Sequence, residues 1–172
     1  MTSTRISSPV LVDRFKDAFR NHPAGVAVIT ARSGEAPVGL TASSVASVSA
    51  EPPILAFSLA SQAGSAGAVS AAETIVVHLL SDANVELARS FARPGGERFT
   101  DSRQWSWLPG GEPLLYGTAF ALRCRILSRT PVGASVLVAA QLEEVLETND
   151  NAAPLVYHNR SFHRLSAGSL LP

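Results

Sequence analysis

The chain has 172 residues, 46% apolar and only 16% charged, and its 14 basic side chains balance 14 acidic ones. That length suits one domain able to bury a hydrophobic core without disulfide or metal staples. Zero net charge and scattered basic residues exclude the electropositive footprint that nucleic acid or an anionic membrane requires, and light surface charge suits a chain that hides part of itself in an oligomer. No apolar run approaches the roughly 20 residues of a membrane span, and the N-terminus lacks the apolar stretch of a signal peptide, so the cytoplasm is the expected compartment.

Ser8 and Pro9 read as the cap and first position of a helix whose Val10, Leu11, Phe15, Ala18 and Phe19 share one face. From Gly25 the pattern turns β-rich through Val26 to Thr30, followed by a Ser33-Gly34 turn. Residues 37 to 53 then carry Thr41, Ser43, Ser44, Ser47 and Ser49 inside what reads as a buried strand paired with the previous one. Buried hydroxyls must be satisfied or they cost free energy, so this segment predicts a ligand rich in oxygen and nitrogen. Pro52-Pro53 interrupts it, and Ile54 to Leu59 resumes as a strand.

Residues 60 to 72 are almost all Ala, Ser and Gly; so long a linker is uncommon between strands, and a short helix with a tight entry loop fits better. Thr74 to Leu80 predicts a buried strand, and Ser81 caps a helix with Leu87, Ala88 and Phe91 inward. Ala92 to Pro113 holds both tryptophans and several Gly and Pro breaks, the marks of a long surface excursion. Gly117 to Leu127, Val132 to Leu146, Leu155 to Tyr157 and Ser161-Phe162 all read as strands. The fold class is mainly β with peripheral helices, arranged as a barrel.

Cys124, the one cysteine, excludes an internal disulfide and reads as core. The signatures of dinucleotide-binding turns, P-loops, serine-nucleophile elbows and zinc proteases are missing, and His22, His78, His158 and His163 are too dispersed for a metal site.

Several segments, in order, resemble the flavin reductase-like family of the FMN-binding split-barrel fold: His22 to Thr30, Gly39-Leu40-Thr41-Ala42-Ser43-Ser44 through Ser49, Pro52 to Leu59, Val77 to Ser81, Leu87 to Ala92, Gly111 to Leu115, and Pro154 to His158. The resemblance covers about residues 10 to 165 of a single domain spanning 1–172. It implies a Greek-key split barrel, a homodimer with flavin along the interface, FMN or FAD as cofactor, and NADH or NADPH as co-substrate. It also implies a partner flavin-dependent monooxygenase that receives the reduced flavin.

By the same resemblance, Thr41, Ala42, Ser43, Ser44 and Ser47 contact the flavin ring and ribityl chain, with the backbone of Ser58, Leu59 and Ala60 beside them. Ser65 stands at the phosphate-contacting turn, where helix amides also suit an anion. His78 is either a flavin contact or a core imidazole. Arg98-Phe99 resembles a basic-aromatic pair reaching the cofactor from a loop, and Tyr157-His158 with Arg160 a segment bordering the nicotinamide.

One departure stands out: where such reductases commonly carry Gly-Asp-His, this chain reads Gly133-Ala134-Ser135. The nicotinamide-side candidates are therefore Ser135 and His158. The leading expectation is an NAD(P)H-dependent flavin reductase passing hydride to flavin N5. The alternative is a flavin-binding carrier, electron-transfer module or sensor without efficient nicotinamide turnover. A third reading has a bound flavin acting on a small organic substrate beside the Trp105 to Pro113 loop.

Overall fold

The computed structural model describes residues 8–60, 62–146 and 152–172; the expectations for the first seven residues, and Ser61 of the small-residue stretch, lie outside them. Helix α1 (Pro9–Arg20) starts as predicted, with Ser8 Oγ accepting from Leu11 N–H at 3.3 Å. Its apolar face meets nothing: among the described residues α1 buries no side chain, and Val10, Leu11, Phe15 and Phe19 stay at least 60% exposed.

Strand β1 (Ala24–Gly25) leads into β2 (Ala27–Ser33), which turns through Gly34 into β3 (Ala36–Ala42). Then come β4 (Ala46–Ala50), β5 (Pro53–Leu59), helix α2 (Gly64–Ala71) and β6 (Thr74–Leu79). A 3-10 turn capped by Ser81 introduces helix α3 (Val85–Ala92), and the excursion beyond it contains β7 (Trp105–Trp107), which pairs with β8 (Pro113–Leu115). The long β9 (Phe120–Val132) and β10 (Ser135–Leu146) form a hairpin, and β11 (Leu155–His158) and β12 (Ser161–Arg164) close the chain.

One antiparallel sheet runs β3-β2-β6-β9-β10-β5-β4, and a small one runs β1-β11-β12. Laid flat, seven strands would hold the outermost pair about 29 Å apart. Yet β3 and β4, the two edges, are joined by residues 43–45 alone, a reach of at most about 14 Å. The sheet must therefore curl until its edges almost meet, which makes a mainly β, split barrel. Its interior is filled by Ile29, Phe57, Ile75, Val77, Cys124 and Val138 among others. Because side chains alternate along a strand, Val26 and Val28 point the other way, into a second cluster with Ala88 and Phe91 of α3 and Leu115 and Leu155. Cys124 is core, and burial pushes its thiol up to about 12.

The hydroxyl-rich segment is not one buried strand. It breaks at residues 43–45 and supplies both edges of the sheet, so Ser43, Ser44 and Ser47 are exposed, and only its first half pairs with β2. The physical reason is that an edge strand leaves one side without a neighbour. Ser44 is satisfied locally: its Oγ accepts from Ser58 N–H at 3.0 Å and donates to Ser58 O at 3.2 Å. The excursion after α3 is likewise only partly surface. Trp105 packs edge-on against Phe99 at 5.0 Å, and Glu112 is enclosed and paired with Arg123 at 2.7 Å.

Candidate functional site

The slit between the sheet edges opens on both sides of residues 41–43, and three cavities meet there. The first, about 1070 Å³, lies between β3, the start of α2 and the loop after α3; Gly39, Thr41, Ala60, Ser65, Arg98 and Phe99 line it. The second, about 1040 Å³, lies between α1, the 43–46 link and the β11–β12 hairpin; Ser43, Ser44, Ser58, Ser135 and His158 line it. A smaller cleft of about 390 Å³ shares Thr41 with the first, and Ser43, Tyr157 and Arg160 with the second.

In the first cavity, Arg98 reaches across to donate to Ser65 Oγ, to Gly39 O at 2.6 Å and to Arg93 O at 2.6 Å. Its Nε is buried and has no partner among the described residues, and burial pushes its pKa below the usual guanidinium value. Ser65 sits in the first turn of α2, whose N-cap Ala63 has no hydroxyl or carboxylate to offer the opening amides. A cation beside a helix N-terminus is an unfavourable pairing, because both ends are positive. An anion between them resolves it, so the donor set fits a phosphate. Phe99, the next residue, packs edge-on to Phe91 at 5.2 Å and accepts a hydrogen bond at its carbonyl from Trp105 Nε1 at 3.1 Å.

Thr41 Oγ1 donates to Ala88 O at 2.6 Å, tying β3 to α3. Ala42 and Leu59 direct their side chains into the core, leaving only backbone toward a ligand. Ser47 lies outside the three cavities. In the second cavity, Ser135 opens β10 after the Gly133 turn, and His158 ends β11 with its ring 5.7 Å from that of His163. Asn159 N–H donates to Arg20 O at 3.0 Å, so the hairpin also holds the end of α1.

His78 is the core alternative, not a flavin contact. It is fully enclosed, with Nδ1 3.1 Å from Val28 O and Nε2 accepting from Leu115 N–H at 2.9 Å, so no ring nitrogen remains for a ligand. Burial lowers its pKa to about 4, against a smaller opposing effect of the Val28 carbonyl, which fixes the neutral ring. The contribution of α1 to the second cavity, through Phe15, Phe19 and Arg20, was not anticipated. Its signal was an amphipathic helix with no apolar partner segment nearby in sequence.

Residues 19–166 match the family model described as flavin reductase like domain. The NADH:FMN oxidoreductase of Rhodococcus erythropolis is 41% identical over 162 residues, which span 92% of this chain and 84% of that protein. The reductase component of 4-hydroxyphenylacetate 3-monooxygenase from Thermus thermophilus is 31% identical over 153 residues, 89% of this chain and 96% of that one. Among solved structures, a flavin reductase domain protein from Arthrobacter sp. FB24 superposes with a TM-score of 0.84 at 34% identity, over 90% of this chain and 96% of that one. The chain belongs to the flavin reductase-like family.

Proposed function

We propose that this protein is an NAD(P)H-dependent flavin reductase that binds FMN or FAD and releases reduced flavin to a monooxygenase. The carrying observation is the anion-seeking pair of Arg98 and the α2 N-terminus, in a cavity that runs along β3 as far as Thr41. The names of the relatives from Rhodococcus and Thermus support the reaction and the partner class respectively. When bound, the flavin supplies an acceptor at N5 for the hydride from nicotinamide C4, which carries two electrons.

The protein supplies the setting. Arg98, Ser65 and the first amides of α2 hold the phosphate, and the link at residues 41–44 with the backbone at Ser58 and Ala60 borders the ring. Ser135 and His158 flank the space left for the nicotinamide. No strong acid or base is needed, because orientation and exclusion of water are what the site contributes. Anaerobic mixing with FMN and NADH tests the reading: the flavin absorbance should bleach far faster than in a protein-free control, and equal rates would sink it.

The turn at Gly133-Ala134-Ser135 favours a second reading, a flavin carrier or electron-transfer protein, since that turn brings neither an imidazole nor a carboxylate to the second cavity. It expects tightly held flavin and negligible NADH oxidation. Either way we propose a homodimer, a reading supported by the bare apolar face of α1 and exposed Val48 on β4, surface of the kind a second copy would cover.

A further inference from the structure

Resting on the flavin reductase reading, we propose that Arg129 of β9 is a positioning residue for the flavin phosphate: it clamps the C-terminal end of α2 and thereby sets where Ser65 and the first amides of that helix stand. α2 has little of its own to hold it in place. It is eight residues long, rich in Gly, Ala and Ser, and Val69 is its single buried side chain. So short a helix carrying glycine is marginal by propensity, and contacts at its ends decide its direction.

Arg129 makes such a contact. Its Nε donates to the Ser70 carbonyl and its Nη2 to the Ala72 carbonyl at 2.5 Å, two acceptors where α2 stops. Carbonyls at that end lack partners inside the helix, and the helix dipole favours a cation beside them. The opposite end faces Arg98, which donates to Ser65 Oγ. One helix therefore has a guanidinium at each end, and only the C-terminal one is favourable without an anion.

A β-bulge aims the Arg129 side chain. In the β9–β10 ladder Ile126 stands opposite Ala140 and Ser128 opposite Ala139, so Leu127 is an extra residue. Directly opposed residues share a face of the sheet, and the partner of Arg129 is Val138, which is buried in the same core as Val69 of α2. Without the extra residue Ser128 would take that place. The bulge thus turns an arginine toward the side of the sheet that α2 covers.

The helix is short enough to act as a stiff lever. Its axis is about 12 Å long, so a tilt of about 10° at one end carries the other by about 2 Å. That exceeds the spread of hydrogen-bond lengths. The entry loop gives no slack either: a Cβ on Gly67 would lie 2.2 Å from the Gln62 carbonyl oxygen, so loop and helix touch backbone to backbone. Movement released at Arg129 is passed on to Ala63, Gly64 and Ser65, all of which line the first cavity.

Riboflavin, which is FMN without its phosphate, separates positioning from mere stabilisation. Fluorescence titration of the wild-type protein should show FMN binding more tightly than riboflavin. In Arg129→Ala the FMN affinity should fall about tenfold with riboflavin affinity unchanged, and Arg129→Lys should recover part of the loss. Gly67→Ala, which disturbs the same helix from its entry loop, should lower the FMN-to-riboflavin ratio too. Should Arg129→Ala fail to fold, the lysine variant decides, with an expected ratio below that of wild type. A wild-type ratio in the folded Arg129 variants, or equal losses for both flavins, overturns the proposal alone. Equal binding of the two flavins by the wild-type protein would overturn the phosphate reading of the first cavity and this proposal with it.

Discussion

His78 joins two elements distant in sequence, with Nδ1 against the carbonyl of Val28 and Nε2 receiving the amide of Leu115. The ring must be neutral to accept from Leu115. Its folded pKa of about 4 lies below the ordinary 6.5, so between those values the unfolded chain binds a proton that the folded one refuses. Stability is therefore full above pH 6.5 and falls as the pH drops toward 4, by about 3 kcal/mol in all. Denaturant titrations at pH 7, 5 and 4 should show this decline, and His78→Asn should flatten it.

Arg98→Ala should weaken FMN binding about ten- to a hundredfold, because it removes a charged donor from the cavity where α2 begins. Fluorescence quenching of FMN on titration measures it. Arg98→Lys should recover less than half the loss in binding free energy, since one ammonium cannot serve Gly39, Ser65 and Arg93 together.

Ser135 and His158 line the same cavity from different strands, so an imidazole at position 135 would face the one at 158. The double variant Ala134→Asp with Ser135→His should raise kcat/KM for NADH severalfold or more, while His158→Ala should lower it by about tenfold. Steady-state assays at saturating FMN decide both. Unchanged values in both variants would remove the second cavity from nicotinamide binding.

Phe15 and Phe19 pack against each other with tilted rings, centroids 4.7 Å apart, on a helix face left exposed among the described residues. Phe15→Glu with Phe19→Glu should convert a dimer to monomer in sedimentation velocity, at little cost to monomer folding. An unaltered sedimentation coefficient would locate the interface elsewhere.

Glu112 is enclosed with its carboxylate on Arg123, which also pairs with Glu143. Burial pushes the Glu112 carboxyl up, but hydrogen bonds from Arg123 and Thr74 outweigh it and hold it below the usual range. Glu112→Ala should cost about 3 kcal/mol, the lower end for a broken buried pair because Glu143 still compensates Arg123. Chemical denaturation reads it, and Glu112→Ala with Arg123→Met should regain part of the loss.

Local chemistry made much of this fold legible. Ser8-Pro9 marked a helix start, Pro52-Pro53 a strand boundary, and the alternation from Gly117 to Leu127 a strand, because each depends on neighbours within a few residues. The break at residues 43–45 did not show, since small polar residues suit a strand and a link equally and the edge topology is set by pairings far away. The enclosure of Glu112, within the stretch read as a surface excursion, was hidden for the same reason: it depends on Arg123 from β9. His78 was ambiguous until Leu115, 37 residues on, took its second nitrogen. Ser65 and Arg98 were each singled out by resemblance, but their direct contact depends on how the loop after α3 folds back over α2.

The three-residue link between β3 and β4 has a mechanical side. It is a short covalent stitch across the open seam of a cylinder, and the three cavities sit beside it. A molecule lodged there braces the first stave against the last, and so works as a hoop on the whole barrel. Amide exchange in β3 and β4 should therefore slow on ligand addition, even at positions the ligand never reaches.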